Sequence, residues 1–146
     1  MPEVRKRVRY CSYLLTVVAA TSCLFGVVYF FLSQPMPYHL AWIGMSFEEI
    51  KDFNPNLALW MAGSVNTVGT FMVGFGILAI GIALGAFRRA EPWAWLTLLL
   101  ALPIVLGRVT LGSFLVDAPV KWVVLALALL SLTAMLVPIR DFFGSR

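Results

Sequence analysis

Charge is what this chain has least of. Asp, Glu, Lys and Arg make up 12% of its 146 residues and hydrophobic residues 61%, whereas a soluble domain carries roughly 25% and 45–50%. A water-soluble fold is excluded, and the composition is that of an integral membrane protein. Histidine occurs once and cysteine twice, with no CxxC pair, so neither a zinc ribbon nor a membrane thiol-oxidoreductase is expected. Cys11 and Cys23 are 12 positions apart in one apolar run, about 18 Å along a helix, too far to bridge each other. Internal repeats, low-complexity tracts, phosphate loops, nucleophile elbows and clustered metal ligands are also missing. The only substantial stretch outside the apolar runs is Ser33 to Asn56, which leaves no room for a soluble catalytic domain. No metal and no cofactor is expected.

What is present is long and apolar. Charge is absent from Cys11 to Leu32, Phe53 to Phe87, Pro92 to Gly107 and Trp122 to Ile139. A crossing needs about 20 apolar residues, so the chain reads as one all-α domain, 1–146, of four transmembrane helices. Their expected bounds are 11–32, 57–87, 92–115 and 121–139. The second run exceeds one crossing and must extend beyond the bilayer at one end. A transmembrane barrel would need alternating segments of about ten residues, which these continuous runs are not.

Basic residues flank the runs unequally. Arg5, Lys6, Arg7 and Arg9 precede the first, Arg88 and Arg89 follow the second, and Arg140 and Arg146 follow the fourth, whereas the opposite side carries Lys51 and Lys121. Flanking Lys and Arg stay cytoplasmic, which predicts both termini inside, in a prokaryotic inner membrane. The net charge of +4 is thus largely topological, and VRKRVR reads as an orientation signal touching anionic lipid, not a nucleic-acid patch. Ala20 to Cys23, ATSC, loosely imitates a lipoprotein processing site. The apolar run continues through LFGVVYFFL, so the first span is expected to be retained.

The stretch MSFEEIKDFNPN, Met45 to Asn56, gathers Glu48, Glu49 and Asp52. Ser46 with Glu49 three residues on has the form of a capping box, and Phe47, Ile50 and Phe53 fall on one side. An amphipathic interfacial helix over 46–53 is expected. Asn54 then suits the N-cap of the second span and Pro55 its first position. His39 lies in the same outer segment and is a candidate base or ligand beside Glu48 or Glu49.

Inside the spans, glycine is frequent and polarity rare. Gly69, Gly74, Gly76, Gly81 and Gly85 are helix-packing candidates, Gly81 and Gly85 as a GxxxG, against this chain, another subunit or a flat hydrophobic ligand. Asn66 is expected to hydrogen-bond across helices, and Pro103 to kink the third span. Arg108 follows Trp93 by about 22 Å of helix, near the outer interface. There it is expected to snorkel, to pair with Asp117, or to meet an anionic headgroup or ligand. Trp93 and Trp95 are expected to anchor the third span at the interface.

The loop GAFRRAEPWAW, Gly85 to Trp95, with GMSFEEIKDFNPNLALWM and the glycine-rich span between them, resembles a group of small prokaryotic four-span membrane proteins. These carry an Arg-Arg-Gly-Glu-Arg-Trp-Ala-Trp type turn. The resemblance covers roughly Trp42 to Trp95, with Ala90 in place of Gly and Pro92 in place of Arg. It implies the four-helix architecture and transfers no catalytic residues. Four-span folds that bind or isomerise sterol-like molecules are a more distant comparison, since they place carboxylates and His within the spans. The function expected first is a non-catalytic accessory subunit that packs against helices of a larger complex or of a second copy. The alternative is a small membrane enzyme or binder for a lipid, quinone, pigment or sterol-like molecule, with Arg108 and the His39 to Asp52 segment at the mouth of its pocket and Asp117 and Asn66 as further ligand or headgroup candidates.

Overall fold

The computed structural model describes residues 2–144, with side chains from residue 6 onward; Arg146 lies outside the described residues and the side chain of Arg5 outside the described side chains. All elements among them are helical: α1 (Pro2–Phe31), α2 (Pro37–Ile43), α3 (Phe47–Phe53), α4 (Pro55–Leu84), a 3₁₀ turn (Phe87–Arg89), α5 (Pro92–Leu115), α6 (Lys121–Leu136) and α7 (Ile139–Phe143). Four helical stretches, Lys6–Phe31, Pro55–Arg89, Pro92–Leu115 and Lys121–Phe143, are long and apolar enough to cross a membrane. This is the architecture of an all-α integral membrane protein.

Local chemistry sets the boundaries. Ser46 and Glu49 form the full capping box that opens α3, and the Asn54 carboxamide accepts from the N–H groups of Asn56 and Leu57 to open α4 at Pro55. α2 was not expected from the sequence. Its signals are Pro37 in the first turn and Gly44 just past the end at φ 79°, the usual proline-first, glycine-last arrangement. α1 starts nine residues earlier than the charge-free run, because Val8, Cys11, Leu15 and Val18 recur at helical spacing and are all buried. At 30 residues, α4 is about 45 Å long against a hydrocarbon core of about 30 Å, more than one upright crossing requires.

α1 lies against α4 along its length and also against α6, and α6 carries α5. α4 and α5 touch little despite the tight turn that joins them, so α4 is an edge helix. The buried core sits at the end that holds the basic residues. There Phe87, Trp95 and Phe142 pack together, with Phe87 and Phe142 ring centroids 4.8 Å apart. Trp95 therefore does not anchor the interface as the sequence suggested. It is buried, and its indole N–H donates 2.8 Å to the carbonyl of Met135, one of the last-turn carbonyls of α6 that the helix itself leaves without a donor. Trp93 is exposed, and its N–H goes to Glu91.

The α4 to α5 turn closes as a Schellman motif, with Glu91 N–H on the carbonyl of Ala86 and Ala90 N–H on that of Phe87. Ala90 occupies the left-handed position at φ 56°, which costs a non-glycine residue about 1 kcal/mol. Ala90→Gly should stabilise the protein by about 0.5 kcal/mol once glycine's extra unfolded-state entropy is deducted. An upward shift of the unfolding midpoint in mixed micelles checks this; a downward shift contradicts it.

Candidate functional site

Two faces of α4 carry small residues, and they do different things. On the inner face Ala83, Gly76 and Gly69 meet Ser12, Ala19 and Gly26 of α1 in antiparallel register, one heptad per step. The Ser12 hydroxyl donates 2.6 Å to the carbonyl of Ala83. A Cβ built on Gly76 would lie 2.9 Å from the Ala19 carbonyl oxygen, and one on Gly69 would lie 2.7 Å from that of Gly26. The backbones approach so closely that only glycine fits, and a seven-residue repeat is the period of a left-handed helix pair.

The outer face repeats the pattern without a partner. Gly63, Thr67, Thr70, Gly74, Ile77 and Gly81 alternate by four and three residues along α4, and all are exposed. Cβ atoms on Gly63, Gly74 and Gly81 would meet nothing within 4 Å. Thr67 and Thr70 turn their hydroxyls back onto the carbonyls of Gly63 and Asn66, at 2.8 and 3.0 Å, which leaves the face smooth and apolar. Gly85 does not belong to it. It is the C-cap of α4, where a Cβ would run 2.8 Å from the carbonyl oxygen of Gly81, so the GxxxG is a helix end and not a two-glycine packing motif.

Asn66 bonds across helices as expected. Its amide nitrogen donates to the carbonyls of Tyr29, Phe30 and Leu32, at 3.2, 3.0 and 2.6 Å, and thereby caps the C-terminus of α1 from the middle of α4. The Tyr29 and Tyr38 hydroxyls share a hydrogen bond of 2.7 Å, and His39 stacks on Tyr38 with centroids 4.4 Å apart. These contacts form a polar knot that fastens α2 to the end of α1. Burial pulls the His39 imidazole below its ordinary range, favouring the neutral form.

The carboxylates do not converge on His39. Glu49 accepts from the Ser46 backbone N–H at 2.7 Å and its hydroxyl at 2.8 Å, and these bonds hold it below the usual carboxylate range. Glu48 faces Lys51 at 3.8 Å on the surface. Glu91, at the other end, is likewise lowered, by Arg89 at 2.5 Å and then by the Trp93 indole at 2.6 Å. Among the described residues no three His, Cys, Asp or Glu stand together as metal ligands.

Arg108 and Asp117 do not pair either. Asp117 sits at φ 49° just past the C-terminus of α5, and its carboxylate is taken by Lys121, four residues on. Arg108 is exposed and folds along its own helix over Gly112, whose built Cβ would be 3.2 Å from Nη1. The side chain thus runs toward the C-terminal end of α5.

A shallow groove of about 230 Å³ runs between α1 and α4, lined by Val27, Phe30, Phe31, Thr70 and Val73. None of Arg108, Asp117, Asn66 or His39 lines it. No protein-family model, curated protein or solved structure matches this chain.

Proposed function

We propose that this chain is a non-catalytic accessory subunit of a membrane assembly, held to an uncharged transmembrane helix of a larger partner by the outer face of α4. The observation that carries the reading is the second heptad of small residues. Glycine in a helix interior is disfavoured by about 1 kcal/mol relative to alanine, and on the inner face close approach to α1 accounts for it. On the outer face nothing in this chain does. A period of three and four over Gly63 to Gly81 suits a supercoiled helix, whereas lipid tails impose no period. The groove favours a hydrophobic ligand less, because it lacks the convergent polar groups that orient one.

The orientation proposed is both termini cytoplasmic in a prokaryotic inner membrane. Lys6, Arg7, Arg9, Arg88, Arg89 and Arg140 share one end, and Glu48, Glu49 and Asp52 stand at the other. We also propose membership of the four-span group whose turn the Arg88 to Trp95 loop resembles. That turn carries glycine where Ala90 adopts φ 56°, the conformation glycine takes without strain.

Gentle extraction from the native membrane, with mass spectrometry of everything retained, tests the function. Wild-type chain should recover a larger membrane protein in stoichiometric amount, and Gly74→Leu with Gly81→Leu should lose it at least tenfold while keeping its own helix content. Recovery of the chain alone, or equal recovery by the variant, would overturn the proposal.

A further inference from the structure

We infer that Arg108 and Gly112 form a site for a phosphate group at the rim of the bilayer, the phosphodiester of a phospholipid headgroup being the source the geometry favours. Arg108 stands on the lipid side of α5, flanked by Ile104 and Leu111, each 70% exposed, and Leu115, 65% exposed. Its Cα is seven residues before the end of α5, about 10 Å along the axis. A guanidinium left there without a counter-charge is expensive. Among the described residues the four ion pairs use Arg7, Lys51, Arg89 and Lys121, and no carboxylate lies within 4 Å of Arg108.

The side chain resolves this by leaning one turn toward the helix end. Gly112 makes the path: a built Cβ would already lie 3.2 Å from Nη1, and a side chain as large as leucine would push the guanidinium away from the helix. The fork that results has its donors free at headgroup depth, surrounded by exposed aliphatic side chains that acyl chains can cover. Planar bidentate donors match phosphate oxygens. A carboxylate on a partner protein is the competing occupant. The lean toward the headgroup layer favours phosphate, and the site lies on α5, which touches α4 little, so the inference stands apart from the packing proposal.

Native mass spectrometry of the detergent-purified full chain tests it, with phosphatidylglycerol, diacylglycerol of the same acyl chains and inorganic phosphate as probes. Wild-type chain should retain phosphatidylglycerol at least fivefold more than diacylglycerol. Arg108→Gln should lower that retention about fivefold to tenfold, Arg108→Lys less, and Gly112→Leu should lower it with Arg108 still present. Diacylglycerol binding should not change in any variant. Arg108 is exposed, so helix content by circular dichroism should be equal throughout. Displacement of the lipid by millimolar inorganic phosphate would support the phosphate site and assign it to free phosphate. Equal retention of the two lipids, unchanged retention by Arg108→Gln, or loss of a co-purifying protein in place of lipid would overturn the inference.

Discussion

Gly76→Leu should separate α1 from α4, lowering stability by about 3 kcal/mol, the upper end of what forced overpacking costs. The new side chain has nowhere to go, since even a Cβ at this position would contact the Cys23 thiol and lie 2.9 Å from the Ala19 carbonyl oxygen. Backbone cannot yield as a flexible side chain can, so the whole helix pair must move apart, and the Ser12 to Ala83 bond one heptad away would lengthen with it. Gly81→Leu is the matched control: the same substitution, in the same helix, into open space. It should not destabilise the isolated chain, and by removing glycine's helix penalty it should stabilise it by up to about 1 kcal/mol. Denaturant titration in mixed micelles reads both. Equal damage from the two variants would mean that the inner and outer faces of α4 are not distinct.

The second large effect belongs to Asn66. Replacing it with leucine, of similar size, removes the donor shared by the carbonyls of Tyr29, Phe30 and Leu32. These groups lie at the open end of α1, where the helix supplies no further N–H donors, although the Tyr29 carbonyl also accepts from the Leu32 N–H at 3.3 Å. The expected loss is about 2 kcal/mol. It should be local, as faster amide exchange from Val27 through α2, with the basic-end core around Phe87 and Trp95 unaffected. Asn66→Asp separates capping from mere polarity, because a carboxylate facing three carbonyl oxygens donates nothing. It should be at least as damaging as leucine, and a benign Asp variant would show that Asn66 is not a cap.

Legibility in the sequence followed the range of the interactions. α5 was bounded at Pro92 and Leu115 because a starting proline and the end of an apolar run are local signals. The same holds for Ser46 with Glu49 and for Asn54 with Pro55, whose partners lie within three residues. Trp95 was misplaced because tryptophan near a span end is ordinarily interfacial. Only the end of α6 at Leu136 leaves free the Met135 carbonyl, 40 positions on, that draws its N–H inward. The glycines of α4 were visible but could not be sorted, since which of them meet α1 depends on the matching repeat of Ser12, Ala19 and Gly26. That repeat could have been read from the sequence as small residues seven apart in two apolar runs. A pair with Asp117 was one of the alternatives open to Arg108 from their shared interface, and Lys121, one turn along and oppositely charged, was the simpler partner.

The central claim is that the outer face of α4 is covered by another protein's helix in the native membrane. Site-specific photo-crosslinking tests it most directly, with a photoreactive residue placed at Ile77 on that face or at Ile104 on the lipid side of α5, both largely exposed in this chain. The account predicts a discrete protein adduct from position 77, abolished by Gly74→Leu and Gly81→Leu, and only lipid adducts from position 104. Lipid adducts alone at both positions, or the same protein adduct from each, would contradict it.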